Sequence, residues 1–270
     1  MSDLRVTIAG AGGRMGAANI RAVANTPGLV LHSAFDRPGS AAVGRDAGEA
    51  SGIAKLGVLI GDDPEAALAG TEAIIDFTAP AVSVMLSEQA AARGIVHIIG
   101  TTGCSKEEDW AIAKSGSAGA RIVKTGNFSL GVNILAGLVR QAAAALPDYD
   151  IEVLEMHHNR KVDAPSGTAL LLGKAAAEGR GDDFDQNAVL SRQGHTGARV
   201  PGNIGFATLR GGNVIGEHTV MFVGETERIE ITHRATDRGM FAAGAVRAAL
   251  WAKDQPAGFY DMADVLGFKE

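Results

Sequence analysis

The first half of the chain alternates short apolar runs with stretches of helical periodicity. Short runs rich in Val and Ile are typical of buried parallel strands, and a repeated strand–helix order predicts a parallel sheet with helices on both faces. We therefore expect an α/β fold with a Rossmann-like doubly wound parallel sheet. The apolar runs are Leu4–Ala9, Leu29–Phe35, Ala73–Phe77, Val96–Ile99 and Arg121–Lys124. The helical stretches between them include Arg14–Asn25, Val82–Arg93 and Lys106–Ser115.

The second half has a different order of elements, in which helices alternate with a group of extended segments. The predicted helices are Leu130–Leu146, Ser166–Glu178 with Ser166 as its N-cap, and Phe241–Lys253. The predicted strands are Ile151–His157, Ile204–Arg210, Val214–Val223 and Arg228–Ala235. The joints Gly211-Gly212-Asn213 and Gly224-Glu225-Thr226-Glu227 predict hairpins, so we expect the last three strands to be antiparallel. The stretch from Gly179 to Pro201 has no clear period and predicts a long surface loop, with room for short helical pieces.

This change of pattern divides the chain into two domains. Residues 1–128, completed by a C-terminal helix at about 240–270, are expected to form a dinucleotide-binding domain. Residues 129–239 are expected to form an α+β domain with an open mixed, mostly antiparallel sheet. We assign substrate binding and oligomerisation to this second domain.

Composition limits the classes of function. Hydrophobic residues make up 46% of the chain and charged residues 21%, which is ordinary for a globular protein. The formal net charge of -6 argues against nucleic-acid binding, which needs a basic footprint. It allows a local basic pocket for an anionic substrate.

The cysteine count and the absence of long apolar runs indicate the compartment. Cys104 is the single cysteine, so an intrachain disulfide is impossible, which fits a reducing compartment. The N-terminus lacks a signal-peptide pattern, and no apolar run reaches the ~20 residues needed to span a bilayer. We therefore predict a cytoplasmic protein with no membrane partner. A catalytic thiol at Cys104 stays open as an alternative, although no base lies near it in the sequence.

A glycine-rich turn follows the first predicted strand. It reads Gly10-Ala11-Gly12-Gly13-Arg14-Met15-Gly16 and leads into a helix. Such a turn lets the backbone approach a pyrophosphate closely, and the helix start supplies N–H donors to the anion. The third glycine comes one residue later than in the strict GxGxxG pattern. A turn that serves only close packing is therefore the alternative interpretation.

Asp36 and Arg37 end the second predicted strand, about where the adenosine ribose of a bound dinucleotide needs an acceptor. A carboxylate at this position accepts hydrogen bonds from the ribose of NADH, whereas a guanidinium can pair with the 2′-phosphate of NADPH. The adjacent pair predicts use of both cofactors. A solvated loop charge is the alternative interpretation of Arg37.

Small polar residues end further predicted strands. Ligands of doubly wound sheets bind at the carboxyl ends of the strands, so we expect these residues near the nicotinamide end of the cofactor. The three segments are Phe77-Thr78-Ala79-Pro80, Gly100-Thr101-Thr102-Gly103 and Gly126-Asn127-Phe128-Ser129. Each alone could be an ordinary turn, but three at one edge favour a binding site.

The densest group of ionisable residues lies between a predicted strand and a predicted helix start. His157, His158, Arg160 and Lys161 place four positive or protonatable side chains within five residues. Ser166-Gly167-Thr168 then begins a helix whose backbone N–H groups favour a carboxylate. The combination predicts a site for an anionic substrate. The alternatives are a structural His pair, a solvated loop, and metal ligation, which adjacent strand residues disfavour because they point to opposite faces.

The run Glu152–Ala169 resembles, nearly residue for residue, the signature of the 4-hydroxy-tetrahydrodipicolinate reductase family, also called dihydrodipicolinate reductases. The resemblance covers essentially the whole chain. The other matching segments are the glycine-rich turn, Asp76-Phe77-Thr78, Gly100-Thr101-Thr102-Gly103, Asn127-Phe128-Ser129 and His233-Arg234-Ala235. Two positions depart from common members: Arg160 stands where some carry His, and Asp36 stands where many carry Glu.

The resemblance implies a reaction and a set of site residues. Members use NADH or NADPH to reduce 4-hydroxy-tetrahydrodipicolinate to tetrahydrodipicolinate in diaminopimelate and lysine biosynthesis, and they are typically homotetramers built through the second domain. It implies that His157 is the proton donor or acceptor, that Lys161 is the second proton donor, and that the substrate is a small dicarboxylate. The implied substrate-binding residues are His158, Gly167 and Thr168. The implied cofactor-binding residues are Gly10, Ala11, Gly12, Gly13, Arg14, Met15, Asp36, Arg37, Gly100, Thr101, Thr102, Thr125, Gly126, Asn127, Phe128 and Phe241.

Two other functions compete with this one. Another dehydrogenase of amino-acid metabolism is disfavoured by the His-His-x-x-Lys run. A regulator that senses NAD(P) without turnover is disfavoured because it needs neither His157 nor Lys161. A histidine that titrates near neutral pH can deliver a proton while a nearby ammonium stabilises developing negative charge, so the residues favour a reductase.

Overall fold

The computed structural model describes residues 2–237 and 239–268, and the chain forms two compact units. The first unit contains the chain up to Ser129 together with the chain from Gly239 onwards. The second unit begins at Leu130 and ends before Gly239. The predicted domain ranges also include Met1, Arg238, Lys269 and Glu270, which lie outside the described residues.

The first unit is built on a parallel sheet of seven strands. Numbered along the whole chain, they are β1 (Leu4–Ala9), β2 (Leu29–Phe35), β3 (Ile60–Gly61), β4 (Ala73–Asp76), β5 (Val96–Ile99), β6 (Arg121–Lys124) and β12 (Gly258–Tyr260). Their order is β12-β6-β5-β4-β1-β2-β3, and each neighbouring pair is parallel. The helices are α1 (Arg14–Ala24), α2 (Ala47–Ala50), α3 (Pro64–Ala67), α4 (Pro80–Arg93), α5 (Lys106–Ser117), α9 (Gly239–Ala252) and α10 (Met262–Val265). The predicted doubly wound sheet is confirmed.

Burial and capping explain why these segments form the sheet and its helices. Every residue of β4 and β5 is buried, as expected for strands that helices cover on both faces. Helix α5 begins at a capping box, in which Ser105 and Glu108 each accept the backbone N–H of the other. The edge strands β3 and β12 are not evident in the sequence because they have only two and three residues.

The second unit contains a mixed sheet of five strands. They are β7 (Asp150–His157), β8 (Ala188–Val189), β9 (Ile204–Arg210), β10 (Glu217–Val223) and β11 (Arg228–Arg234). The order is β11-β10-β7-β9-β8, in which the first three strands are antiparallel and the last three are parallel. The helices of this unit are α6 (Leu130–Ala145), α7 (Gly167–Arg180) and α8 (Phe184–Asn187).

One predicted hairpin of this unit is confirmed and the other is wrong. β10 and β11 form the antiparallel pair expected around Gly224-Glu225-Thr226-Glu227. β9 and β10 do not form the hairpin expected around Gly211-Gly212-Asn213, because β7 lies between them. β7 carries Ile151 and Val153 into the core and therefore takes the central position, where it has a partner on both sides. A glycine-rich joint indicates that the backbone can turn there, but it does not indicate which strands pair in the sheet.

The core of the second unit lies between the sheet and the long helices. It includes Leu135 and Val139 of α6 and Leu172 and Ala176 of α7, packed with Ile151, Val153, Phe206, Val220 and Phe222 of the sheet. Ser166 caps α7 as predicted, because its hydroxyl accepts the Ala169 N–H at 3.1 Å. Within the described ranges, no helix has both the length and the apolar character that crossing a membrane requires.

Candidate active site

The glycine-rich turn after β1 leads directly into α1. Gly10 has a φ of +71°, which glycine adopts readily, and α1 begins at Arg14. Gly16 has to be small, because a Cβ there would lie 2.1 Å from the carbonyl oxygen of Gly10 and 2.7 Å from the Cα of Ala11. This close packing holds the turn against the start of the helix, where backbone N–H groups favour a phosphate.

A cavity of about 640 Å³ lies in the first unit beside this turn. Asp36 is part of its lining, and the Asp36 carboxylate accepts the Gly12 N–H at 2.8 Å and the Ser40 hydroxyl at 3.1 Å. A Cβ on Gly12 would lie 2.4 Å from that carboxylate, so only glycine permits the approach. Arg37 is exposed and lines the same cavity. A glycine turn and a carboxylate at the end of β2 fit a dinucleotide.

A buried network connects the ends of β4 and β5. The Asp76 carboxylate accepts the Thr78 N–H at 2.9 Å, the Thr78 hydroxyl at 2.6 Å and the Ser83 hydroxyl at 2.5 Å. The Thr101 hydroxyl accepts the Thr78 N–H at 3.1 Å. Burial raises the pKa of Asp76, but the contact with His97, whose Nε2 lies 3.4 Å away, and the hydrogen bonds from Ser83 and Thr78 outweigh burial and hold that pKa below its usual value. An ionised Asp76 therefore holds two predicted cofactor turns together.

Other predicted cofactor residues lie at strand ends or in α9 of the same unit. The rings of Phe77 and Phe128 pack with their centroids 5.6 Å apart, and the Thr125 hydroxyl accepts the Asn127 N–H at 3.2 Å. Phe241 lies in the first turn of α9. Several predicted residues do not line the cavity in the described part of the chain, and their cofactor roles stay predictions. They are Ala11, Arg14, Met15, Gly100, Thr101, Thr102, Thr125, Gly126, Asn127, Phe128 and Phe241.

In the second unit, β7 carries a carboxylate–histidine pair. Burial alternates along β7, so Glu155 and His157 point to the same, core-facing side. Glu155 is 1% exposed, and its carboxylate lies 2.5 Å from Nδ1 of His157. The same carboxylate accepts two hydrogen bonds from Arg210, both at 2.8 Å, and the Ser166 N–H at 3.0 Å.

These contacts set the charge of Glu155 and the tautomer of His157. Burial raises the pKa of Glu155, but the hydrogen bonds from Arg210, His157 and Ser166 outweigh burial and lower that pKa overall. An ionised carboxylate can only accept hydrogen bonds. Nδ1 of His157 therefore carries a proton, and Nε2 is the other atom at which the ring can gain or lose one.

Arg210 links this pair to the loop that carries Lys161. Its guanidinium donates to the carbonyl oxygen of Asp163 at 2.8 Å as well as to Glu155. The Asp163 carboxylate in turn accepts two hydrogen bonds from Nζ of Lys161, at 2.7 and 2.8 Å. This contact with Lys161 lowers the pKa of Asp163. His157 and Lys161 are thus connected to one arginine through two acidic residues.

The predicted substrate-binding residues lie around the start of α7. Gly167 and Thr168 form its first turn, where backbone N–H groups and the helix dipole favour an anion. The hydrogen bond from the Ser166 N–H to Glu155 brings this helix start next to His157. His158 follows the end of β7 directly and is half-buried.

A second histidine packs edge-on against His157. The ring centroids of His157 and His218 are 5.1 Å apart, and Nε2 of His218 lies 3.1 Å from the Ser166 hydroxyl. That hydroxyl also accepts the Ala169 N–H, so Ser166 joins His218 to the first turn of α7. Burial and the neighbouring His157 lower the pKa of His218 to about 4, so the imidazole is neutral at pH 7.

The sequence interpretation did not single out Glu155, Arg210 or His218. A signal for Glu155 was present, because a carboxylate two residues from Val153 and from His157 shares their core-facing side of a strand. No comparable signal existed for Arg210. Its position depends on the parallel register of β7 and β9, which sets Arg210 opposite His157, and the sequence suggested a different partner for β9.

Two alternative chemistries find little support in this geometry. Within residues 2–237 and 239–268, no three His, Cys, Asp or Glu side chains are grouped so that they could hold a metal ion. Burial raises the pKa of the Cys104 thiol, which lowers its thiolate fraction at neutral pH. A catalytic thiol at Cys104 is therefore disfavoured.

Family models match both halves of the chain. The model described as dihydrodipicolinate reductase, N-terminus, matches residues 4–128, and the model described as dihydrodipicolinate reductase, C-terminus, matches residues 131–266. The chain belongs to the dihydrodipicolinate reductase family. The 4-hydroxy-tetrahydrodipicolinate reductase of Rhizobium rhizogenes is 56% identical over 271 residues, which cover 99% of this chain and 98% of the relative. The reductase of the same name from Rhodopseudomonas palustris is 54% identical and covers 100% of both chains.

Solved structures support the fold of this reductase. A dipicolinate-bound dihydrodipicolinate reductase from Paenisporosarcina sp. TG-14 has a TM-score of 0.77 at 22% identity, covering 96% of this chain and 97% of that one. GenD2 from gentamicin A biosynthesis, solved in complex with NAD, has a TM-score of 0.61 at 15% identity, covering 100% and 88% of the two chains. The predicted activity is confirmed by the family matches: this reductase uses NAD(P)H to reduce 4-hydroxy-tetrahydrodipicolinate in diaminopimelate and lysine biosynthesis.

Proposed function

We propose that His157 donates the proton in this reduction and that Lys161 is the second proton donor. The observation that carries the proposal is the 2.5 Å contact between Nδ1 of His157 and the buried Glu155 carboxylate, next to the start of α7. Glu155 holds Nδ1, so Nε2 is the atom that can transfer a proton to substrate. Bound NAD(P)H supplies the hydride.

We propose that two positively polarised groups bind the two carboxylates of the substrate. The ammonium of Lys161 suits one carboxylate, and the first-turn N–H groups of Gly167 and Thr168 suit the other. His158 is the further substrate-binding residue. Holding the ring at both ends restricts which face it presents to the hydride, which raises the rate by orientation.

We propose that the cofactor is held by the glycine turn and the strand ends of the first unit. Gly10, Gly12 and Gly13 bind the pyrophosphate, and Asp36 and Arg37 select between ribose and 2′-phosphate, because all five line the 640 Å³ cavity. The remaining proposed cofactor residues complete the site from the glycine turn, the start of α1, the segments after β5 and β6, and α9. They are Ala11, Arg14, Met15, Gly100, Thr101, Thr102, Thr125, Gly126, Asn127, Phe128 and Phe241.

We further propose that the reductase is a cytoplasmic homotetramer. Its proposed ligand besides the cofactor is a small dicarboxylate, and it is not expected to bind nucleic acid. Helices α6 and α7 cover one face of the second sheet. The opposite face carries Leu154, Met156, Leu209 and Met221, and the Leu209 side chain is 47% exposed. Contact with other subunits would remove these four apolar side chains from water.

The experiment that tests the proton-donor role compares turnover with cofactor binding. His157→Gln should lower kcat by about 10²–10⁴-fold, the usual contribution of general acid–base catalysis, while the Kd for NADH stays unchanged. Turnover is followed by absorbance at 340 nm with freshly prepared substrate, and NADH binding by fluorescence titration. A wild-type kcat would refute the role of His157, and a wild-type protein that binds NADH without turnover would indicate a sensor instead.

A further inference from the structure

The buried Glu155–Arg210 pair lies beside the proposed proton donor, and the function stated so far uses only the contact of Glu155 with Nδ1 of His157. Glu155 accepts hydrogen bonds from Arg210, Ser166 and His157, and the Thr208 hydroxyl lies 3.4 Å from it. Four separate segments therefore converge on one carboxylate: β7, β9, the start of α7 and, through Arg210, the loop at Asp163. A carboxylate fixed from so many directions has little freedom to move.

We propose that Glu155, clamped by Arg210, is the positioning residue of His157. It holds the imidazole with Nδ1 protonated and Nε2 available for proton transfer. The inference rests on the proposed proton-donor role of His157. It extends that role, because it explains which nitrogen acts and what keeps the ring in place.

The role of Arg210 follows from charge balance. An unpaired buried carboxylate would strongly destabilise the fold, whereas a bidentate guanidinium contact provides hydrogen bonds to both of its oxygens. Both Arg210 contacts are 2.8 Å long, and Glu155 keeps enough acceptor capacity for His157 and Ser166. Arg210 thus lets an ionised acceptor exist at a buried position. The carboxylate can then orient His157 and stabilise the imidazolium form from which a proton is donated.

The other side of the imidazole supports the same orientation. Glu155 holds Nδ1 of His157 at 2.5 Å, so Nε2 is the ring nitrogen on the other side. A Cβ on Gly216 would lie 2.9 Å from Nε2. Gly216 has no positive φ that would require glycine, so the small residue is explained by the space it leaves at Nε2.

The decisive measurement is the tautomer of His157, because it does not depend on activity. Long-range ¹H–¹⁵N correlation spectra of the full-length protein, labelled in histidine and assigned with His157→Gln, should show a protonated Nδ1 in wild type. In Glu155→Gln, an amide NH2 replaces one of the two oxygens, which now accept from Arg210 together with either His157 or Ser166. At least two of these donors therefore lose their acceptor, and an NH2 that faces Nδ1 of His157 would donate to it. We expect a mixture of tautomers or the Nε2–H form in this variant.

Kinetics give a second, independent readout. Glu155→Gln should lower kcat by at least about 10-fold, the lower end of the effect of losing a carboxylate that orients a histidine. The Kd for NADH should stay unchanged. Glu178→Gln is the matched control, because Glu178 also pairs with an arginine, Arg140 at 3.2 Å, but on the exposed surface of the same unit. It should keep wild-type kcat and the wild-type tautomer.

A third variant covers the case in which Glu155→Gln fails to fold. Gly216→Ala leaves the Glu155–Arg210 pair intact and encroaches on Nε2 of His157. It should lower kcat by at least about 10-fold with Nδ1 still protonated.

If Glu155→Gln keeps both the wild-type tautomer and the wild-type kcat while His157→Gln is inactive, the positioning role is overturned and the proton-donor role stands. A fully active His157→Gln refutes the proton-donor role, and the tautomer spectra still decide the role of Glu155. A Gly216→Ala variant with wild-type kcat would overturn the assignment of Nε2 as the working atom.

Discussion

The ammonium of Lys161 lies 2.7 and 2.8 Å from the two carboxylate oxygens of Asp163, within the loop that follows β7. Asp163 thus occupies the position relative to Lys161 that a substrate carboxylate is proposed to take. A dicarboxylate that binds Lys161 can replace this partner or take the third N–H of the ammonium. The contact shows that the lysine can hold a carboxylate with two hydrogen bonds.

Lys161→Ala should weaken the binding of dicarboxylates and lower kcat. Losing a charged hydrogen bond to a carboxylate costs about 1.5–3 kcal/mol, which is roughly 10- to 100-fold in affinity. Pyridine-2,6-dicarboxylate, a planar mimic of the substrate, should therefore inhibit this variant 10- to 100-fold more weakly than wild type.

Two controls separate substrate contact from loop structure. Asp163→Asn removes the ion pair but keeps the lysine, so inhibition by pyridine-2,6-dicarboxylate should not weaken. Lys174→Ala removes an exposed lysine of α7, whose ammonium lies over the ring of Phe184. Pyridine-2,6-dicarboxylate should inhibit this variant as strongly as it inhibits wild type. Equal inhibition of Lys161→Ala and wild type would count against a carboxylate at Lys161.

The neighbours Asp36 and Arg37 should oppose each other in cofactor choice. A carboxylate accepts ribose hydroxyls and repels a 2′-phosphate, whereas a guanidinium attracts that phosphate. Arg37 is exposed, so its effect should be modest, and the kcat/KM values for NADH and NADPH should agree within about 1–2 powers of ten. Arg37→Ala should reduce NADPH use and leave NADH use nearly unchanged, and Asp36→Ala should do the reverse. Steady-state kinetics with both cofactors measure this, and unchanged ratios in Arg37→Ala would make Arg37 a solvated loop charge.

His218 should make stability depend on pH. Its folded-state pKa of about 4 lies below the usual 6.5, because burial and His157 disfavour the charged ring. His233 and Lys161 act in the same direction, and Glu155 acts against them. The unfolded chain therefore binds more protons between these two pH values, so stability is lost as pH falls from about 6.5 towards 4. The His218 contribution to this loss should be about 2 kcal/mol between pH 7 and pH 5.

Urea unfolding at fixed protein concentration checks this prediction. His218→Gln keeps a side chain that can bond the Ser166 hydroxyl but removes the titration, so its stability should change less between pH 7 and pH 5 than that of wild type. If the stabilities of the two proteins depend equally on pH, the pKa of His218 is not lowered as described.

The exposed face of the second sheet should mediate assembly. Light scattering at micromolar concentration should give about four times the chain mass of 27.7 kDa. Leu209→Glu places a charge on that face and should produce smaller species without unfolding the second unit. A stable wild-type monomer would contradict the proposed homotetramer.

The sequence by itself determined the elements whose signal is local. Strand β1 and strand β5 coincide with their predicted runs, because buried parallel strands are rich in apolar residues on both faces. The cap at Ser166 was also readable, since a hydroxyl before a helical pattern satisfies N–H groups that the helix leaves without acceptors. The run around His157 and Lys161 predicted a site for an anionic substrate, because a cluster of basic residues can be recognised from the sequence alone.

Only the tertiary structure decided how distant segments pair. Glu155 and Arg210 are 55 residues apart and meet because β9 lies parallel to β7, a choice made by burial of the central strand and not by the local joint. The same choice sets Arg210 opposite His157 in register. Local sequence states which residues can carry charge, whereas the environment of Glu155 and His218 is created by packing. The pKa of His218 and the tautomer of His157 depend on burial and on partners from other elements, which a linear pattern does not contain.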